Sequence, residues 1–551
     1  MSRVLIVGGV AGGASCAARL RRLDESAEII LFERGEYISY ANCGLPYHVG
    51  GVIEPRDELL LMTPELMNDR FNIDVRVRQE VTAIDRENKR VTVLDHATGR
   101  TYEERYDTLV LSPGSSPLRP PIPGIDSPRI HTLWTVPDTD EVRRIIRQDK
   151  VQRAAVIGGG FIGLEMIENL RHLGLEVTLV EAMDQVMAPL DMELAEILHG
   201  HIRGQGVDLI LSDAVASFED DGQQVHIRLK SGRQVDAELV ILSIGVRPNG
   251  SLAKDAGLPV NQRGGIVVDA HMRTADPAIY AVGDAVEVED FVFSEPCMIP
   301  LAGPANKQGR IAADNIAGLN QRYEGSLGAA VAKVFDLTAA GVGANEKALI
   351  RRGLVRGQDY EGVLIRQNSH AGYYPGAEPM YLKLLFSMDG RKIFGAQAVG
   401  QSGVDKRIDT LAVAIRLGAT VQQLKELEMA YAPPYSSAKD PVNMAGFMAD
   451  NVLKGHARFA PWDALDNPGD ARVLDVREDW ELAEFALPGA IHIPLGELRR
   501  RASELDQSRP LIVVCAAGVR AHTAARMLNN LGFAQASVYP GGAEFYRATH
   551  A

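Results

Sequence analysis

The run Ala154-Ala155-Val156-Ile157-Gly158-Gly159-Gly160-Phe161-Ile162-Gly163 decides the fold. Its first four residues read as a buried parallel strand, Gly158 to Gly163 spells G-x-G-x-x-G, and Leu164–Leu173 reads as the helix behind the turn. In such a unit Gly158 makes the tight turn, Gly160 lets backbone approach a pyrophosphate, and Gly163 lets helix and strand pack closely. The start of the helix offers unpaired N–H groups to the phosphates. A second strand, Val177–Val180, ends in Glu181, eighteen residues after Gly163, where a carboxylate grips a ribose hydroxyl and repels a 2′-phosphate. Ala182-Met183-Asp184 supplies no cation to accept that phosphate, so NADH is expected over NADPH.

The unit also stands at the start of the chain. Val4–Val7 is a strand, Gly8-Gly9-Val10-Ala11-Gly12-Gly13 a glycine loop, Ala14–Leu23 a helix, and Ile29–Phe32 a strand ending in Glu33, twenty residues past Gly13. Val10 replaces the middle glycine of the fingerprint, but Gly8, Gly12 and Gly13 keep the turn and the close packing. Two such units imply two dinucleotides.

Just beyond lies Ser39-Tyr40-Ala41-Asn42-Cys43-Gly44-Leu45-Pro46-Tyr47. A redox cysteine usually resolves its chemistry with a neighbouring thiol, and Cys43 has none nearby, so its sulfur partner comes from outside or from a distant segment. The stretch is expected to lead into a helix, with Cys43 at its N-terminus in an electropositive setting that favours the thiolate. The alternative is a buried, inert cysteine. Cys16 and Cys297 read as structural.

Composition narrows the classes further. The 551 residues predict three or four domains, and 46% apolar content is that of a soluble globular protein. No apolar run approaches the roughly 20 residues that span a bilayer. The chain enters a strand at Val4, which is expected to leave no room for a signal peptide. A net charge of -14 argues against nonspecific nucleic-acid binding. The four cysteines, Cys16, Cys43, Cys297 and Cys515, are scattered, with neither a disulfide framework nor metal-ligand spacing. A cytoplasmic protein without a metal is expected.

Other segments carry a resemblance. Thr274-Ala275-Asp276-Pro277-Ala278-Ile279-Tyr280-Ala281-Val282-Gly283-Asp284 resembles the second flavin motif of two-dinucleotide flavoproteins, in which the closing aspartate, here Asp284, bonds the ribityl chain of FAD. Leu109–Gly114 and Ile241–Asn249 resemble that family's crossing strands. With Ser39–Tyr47, the first glycine loop and Tyr431-Ala432-Pro433-Pro434-Tyr435-Ser436-Ser437-Ala438-Lys439-Asp440-Pro441, residues 1 to about 450 resemble the single-cysteine pyridine nucleotide–disulfide oxidoreductases around coenzyme A disulfide reductase. The resemblance implies FAD at the first unit, NADH at the second, and a homodimer in which two partner-subunit tyrosines, here Tyr373 and Tyr431, approach the active Cys43. It implies coenzyme A contacts at Ser15, Arg19, Arg22, Ser39, Asn42 and Lys439. A solvated basic helix face is the alternative for the two arginines, one turn apart. Ala11 stands where the oxidases and peroxidases of this branch carry a histidine, which ranks peroxide chemistry below disulfide chemistry.

After Gly455 the character changes. Arg472-Val473-Leu474-Asp475-Val476-Arg477-Glu478, Gly489–Pro494 with His-Ile-Pro, and Cys515-Ala516-Ala517-Gly518-Val519-Arg520 make residues 461 to 551 similar to a single rhodanese domain. A strand (Leu511–Val514), loop and helix (Ala521–Leu531) of this kind turn backbone N–H groups inward as an anion cradle. Cys515 is expected there as a thiolate able to hold a persulfide, with Arg520 adding positive charge. Phosphatases of similar fold usually place one more residue between cysteine and arginine. The short join at 446–461, with no Gly/Ser-rich tether, predicts a docked domain rather than a swinging one.

The expected architecture is α/β: two Rossmann-like domains for FAD (1–112 and 245–324) and NADH (113–244), an α+β dimerisation domain (325–450) and an α/β rhodanese domain (456–551). The expected activity is NADH-dependent, FAD-dependent reduction of persulfides, polysulfides or CoA disulfide at Cys43, with sulfane sulfur on Cys515. A CoA disulfide reductase with an independent rhodanese, and a non-catalytic redox sensor or sulfur carrier, are the alternatives.

Overall fold

The computed structural model describes residues 2–550. Strand Arg3–Val7 sits at the centre of a five-stranded parallel sheet, flanked by Thr108–Leu111 and Ile279–Ala281 on one side and by Glu28–Glu33 and Asp74–Val77 on the other. Its Val4, Leu5 and Ile6 are fully buried, as an unbroken apolar strand between covered faces must be. The helix behind it runs Ala11–Leu23 and packs against helix Ala302–Ile316. Contact is close because Gly309 has no side chain: a Cβ there would stand 2.3 Å from the Gly12 carbonyl oxygen. The second unit repeats the plan with Glu176–Val180, Arg153–Ile157, Leu239–Leu242 and Ile130–His131 in parallel.

Both nucleotide helices begin earlier than their apolar periodicity suggests. They start at Ala11 and Phe161, three residues before the expected Ala14 and Leu164. Ala11-Gly12-Gly13 and Phe161-Ile162-Gly163 are already helical, so only Gly8–Val10 and Gly158–Gly160 remain as loop.

The chain divides into two compact units: residues up to Met183 with Ile210–Gly328, and Asp184–Leu209 with the chain from Ala329 onward. The second unit holds a five-stranded antiparallel sheet, in the order Ala330–Val334, Leu337–Gly343, Ile393–Gly400, Pro379–Ser387, Tyr360–Asn368. It also holds a four-stranded parallel sheet, Ile491–His492, Arg472–Asp475, Leu511–Val514, Ala536–Val538. Helix Met192–Gly204, which lies inside the 113–244 span expected for the NADH domain, groups with this second unit. A buried lysine explains it: Lys383 Nζ lies 2.9 Å from Asp191, 2.5 Å from Glu193 and 2.6 Å from Glu346. Three carboxylates converge there, and the cation among them is this ammonium.

The rhodanese-like sheet is docked. Linker residue Phe459 bridges to Val538 at the sheet edge, with Ala460 N–H donating to the Val538 carbonyl at 2.9 Å. The last helix, Gly542–Thr549, packs on helix Met192–Gly204, sets Phe545 against Tyr381 at 5.4 Å between ring centres, and pairs Glu544 with Arg366 at 2.7 Å.

Replacing Lys383 with methionine leaves three buried carboxylates without their cation. Denaturant unfolding should show a loss of about 3–5 kcal/mol; a midpoint within error of wild type would mean the cluster is not held by Lys383.

Candidate active site

Each glycine loop has the space and polarity of a phosphate cradle. A Cβ on Gly8 would lie 2.0 Å from the Ser112 carbonyl oxygen, and one on Gly13 would lie 1.9 Å from that of Gly8. The second loop repeats this, with Gly163 against the Gly158 oxygen at 1.9 Å, while Gly160 faces open space. Neither helix has a side-chain cap, so the first-turn N–H groups stay available to an anion. Glu33 accepts from Gly9 N–H at 2.9 Å and Gly35 N–H at 2.8 Å. Glu181 accepts from Gly159 at 2.6 Å and Met183 at 2.8 Å. These residues fit two dinucleotides, each acid fixed beside its loop.

Cys43 lies in a 3-10 turn, Asn42–Gly44, that runs into a five-residue helix, Leu45–Val49. The cap of that helix is Gly44, so Cys43 precedes the helix and gains little from so short a dipole. The charged groups that act on its thiol are carboxylates rather than the expected cations. Cys43 reaches solvent, yet burial of its surroundings pushes the thiol up, and the Glu165 and Asp284 carboxylates push the same way. Asp284 accepts from Ser115 Oγ at 2.8 Å, and burial raises its carboxyl.

Glu165 was not singled out in the sequence. It sits on helix Phe161–His172, where burial pushes its carboxyl up to about 7. The Tyr47 hydroxyl lies 3.5 Å from it, at the outer limit of a hydrogen bond. Tyr47 belonged to the cysteine stretch, but nothing in the spacing links residue 47 to residue 165.

The six residues assigned to coenzyme A divide. Arg19 is held by Asp314 at 2.6 Å across the helix pair, and Ser15 bonds Asn306, so both serve helix packing here. Arg22 is exposed and lies over the Phe71 ring at 5.2 Å. Ser39 N–H donates to the Gly9 carbonyl at 2.8 Å, which ties the cysteine stretch to the first glycine loop; Asn42 opens the 3-10 turn. Lys439 is exposed in the second unit.

In that second unit a buried ion pair builds the tyrosine site. Arg407 and Asp440 are almost wholly inaccessible and meet at 2.9 Å. Asp440 also accepts from Ser436 Oγ at 2.6 Å, and Arg407 donates to the Ser369 carbonyl at 3.0 Å. Segments 369–374 and 431–441 are thereby stapled together, which sets the Tyr373 and Tyr431 hydroxyls 2.6 Å apart. Tyr374 packs on His370 instead. Tyr373, Tyr431 and Tyr435 are all exposed.

Cys515 is the opposite of Cys43. It is buried, and its Sγ accepts from Gly518 N–H at 3.1 Å and Ala521 N–H at 3.2 Å. Gly518, at φ +103°, makes the turn that aims these groups inward before helix Val519–Asn530. The Arg520 guanidinium is already bridged by both Glu481 oxygens, each at 2.6 Å. Helix Asp479–Glu484, capped by Glu478, carries that glutamate. The Asp-Val-Arg-Glu motif fixes this helix through a buried Asp475–Arg477 pair at 2.7 Å.

Residues 2–309 match the family described as pyridine nucleotide-disulphide oxidoreductase. The chain belongs to that family. Residues 329–441 match the dimerisation domain of these oxidoreductases, and 462–549 match the rhodanese-like domain. The oxidoreductase is 38% identical to coenzyme A disulfide reductase of Staphylococcus epidermidis over 82% of this chain and 100% of the relative. It resembles the structure of reduced Bacillus anthracis CoADR-RHD, with 50% identity, TM-score 0.95, and coverage of 100% of this chain and 98% of that one. A NAD-dependent persulfide reductase from A. fulgidus matches at 37% identity and TM-score 0.92, over 99% and 100% of the two chains. FAD and NADH are the cofactors typical of this family. Among the described residues no helix is long and apolar enough to cross a membrane.

As pH rises through 7 the Glu165 carboxyl ionises and opposes ionisation of Cys43. Glu165→Gln should therefore move the alkylation profile of Cys43, followed by peptide mass in a Cys515→Ser background, to lower pH. An unchanged profile would remove Glu165 from the thiol's environment.

Proposed function

We propose that this oxidoreductase uses NADH to reduce the sulfur–sulfur bond of CoA-linked persulfides, polysulfides or disulfides at Cys43, in a cytoplasmic homodimer, while Cys515 handles sulfane sulfur. The observation that carries the reading is that Cys43 is solvent-accessible and unpaired: all four cysteines are free thiols, and Cys16 and Cys297 are each pushed up to about 12 by burial. A lone accessible thiol in a two-dinucleotide reductase needs a substrate that brings its own sulfur. As thiolate, Cys43 attacks the substrate's S–S bond, keeps one sulfur as an S–S adduct and releases the other as a thiolate. The chemistry that bound FAD supplies is the relay of NADH's two electrons to that adduct. The products are a thiol and, from a persulfide, sulfide.

Three further observations support the assembly and the carrier. The exposed tyrosines sit on a domain that matches a dimerisation module, which suits a site completed by the Tyr373–Tyr431 pair of a second copy. Arg22 and Lys439 remain exposed cations for a phosphate-bearing carrier such as coenzyme A, with Ser39 and Asn42 beside Cys43. Similarity to a persulfide reductase spans the rhodanese-like part as well. A second reading, CoA disulfide reduction with an independent rhodanese, is favoured by the relatives that cover only the reductase portion.

Steady-state NADH oxidation with CoA persulfide and CoA disulfide separates the two. CoA persulfide should be the better substrate, Cys43→Ser should leave less than about a hundredth of the activity with either, and Cys515→Ser should impair only some sulfur donors. If CoA disulfide is turned over faster and Cys515→Ser changes nothing, the thiol-maintenance reading holds instead.

A further inference from the structure

The charge around Cys515 is already balanced within the domain. Arg520 is bridged by Glu481 and Arg477 by Asp475, so both arginines of this region carry their own counter-ion. The other side chains of the loop, Ala516, Ala517 and Val519, have no charge and no hydrogen-bonding group. Arg520 still acts electrostatically on Cys515, and Glu478 acts on Arg520 as well, adding negative charge. The groups that hydrogen-bond the sulfur are two backbone N–H groups, from Gly518 and Ala521. On the outside, the neighbours of the Glu481–Arg520 bridge, Trp480 and Val519, are apolar and exposed.

We infer that the Cys515 site takes sulfur from a thiol persulfide and discriminates against a dianionic donor such as thiosulfate, with Glu481 as the specificity-determining residue. The inference rests on the sulfane-sulfur role proposed above and names the donor class. A guanidinium paired with a carboxylate presents a dipole, whose field falls off faster than that of a free cation. Two N–H groups match one sulfur carrying one negative charge. They do not offset the extra charge that thiosulfate brings and its sulfite leaving group carries away. With a persulfide R–S–SH, the Cys515 thiolate attacks the outer sulfur. The new Cys515 S–S bond forms as the donor's breaks, the electron pair departs on R–S⁻, and Cys515 is left as Cys–S–SH. No net oxidation occurs and no further reactant is required.

The test uses the full-length holoenzyme, cyanide as acceptor, thiocyanate as readout, and thiosulfate or glutathione persulfide as donor, with the Cys515→Ser background subtracted. Wild type should prefer the persulfide by about a hundredfold in kcat/KM. Glu481→Gln frees Arg520 and should raise kcat/KM for thiosulfate about tenfold, with the persulfide changed by less than about threefold. Glu481→Asp, which keeps the charge, should stay near wild type. Comparable use of both donors by wild type, or an equal fall for both donors in Glu481→Gln, overturns the inference. If Glu481→Gln does not fold, the wild-type donor ratio and Glu481→Asp decide. NADH oxidation by CoA persulfide in the same preparations reports Cys43 separately, so failure of the reductase reading leaves the Cys515 result standing, and the reverse.

Discussion

A carbonyl oxygen lies against a bare Cα at the base of both nucleotide loops, and most of the reductase follows from that closeness. The Gly8 oxygen sits where a Gly13 side chain would begin, and the Gly158 oxygen where a Gly163 side chain would begin. Each contact fixes where the following helix starts and leaves its first N–H groups without a cap. It also fixes the acid of the next strand, because Glu33 and Glu181 bond the N–H of the second loop residue, Gly9 and Gly159. The cysteine stretch inherits its place in turn, since Ser39 hydrogen-bonds the Gly9 carbonyl. One backbone constraint, used twice, sets the two glycine loops and the Cys43 stretch together.

The second unit is organised differently, by buried charge. Arg407–Asp440 gathers two segments that are distant in sequence, and Lys383 draws helix Met192–Gly204 onto the antiparallel sheet. Buried pairs of this kind add little net stability compared with apolar packing, but they permit few alternative arrangements. The Tyr373–Tyr431 hydroxyl pair is held in place by that restriction.

Local patterns were readable from sequence because each is a short-range geometric requirement. The two glycine loops, the strands that end at Glu33 and Glu181, and the Cys515 cradle are all set by neighbours within about one strand–turn–helix unit. The long-range partners were not readable. Glu165 reaches the Cys43 environment only through tertiary folding, and Glu481 meets Arg520 across 39 residues. Arg19 shows the same limit from the other side. The resemblance gave it a coenzyme A contact, and its partner Asp314 lies on a helix nearly three hundred residues away, which no local pattern announces. Cys43 falls short of an activating helix start because it lies in the 3-10 turn before the Gly44 cap, and the helix that follows is only five residues long. The domain boundary near helix Met192–Gly204 followed charge pairing rather than chain order.

The docking of the last helix bears on how such a chain is assembled from modules. Its N-terminal groups hold the Cys515 loop, Ala543 N–H reaching the Cys515 carbonyl at 2.8 Å, while its side chains Phe545 and Glu544 hold Tyr381 and Arg366 of the neighbouring sheet. One helix is thus both wall of the Cys515 loop and plug of a neighbouring sheet's surface. A graft of this rhodanese onto a foreign reductase would lose its seat, and a reductase cut before Phe459 would expose an aromatic and a cation evolved to be covered. The rhodanese-like part and the antiparallel-sheet part are fitted to one another, not beads that recombination can exchange freely.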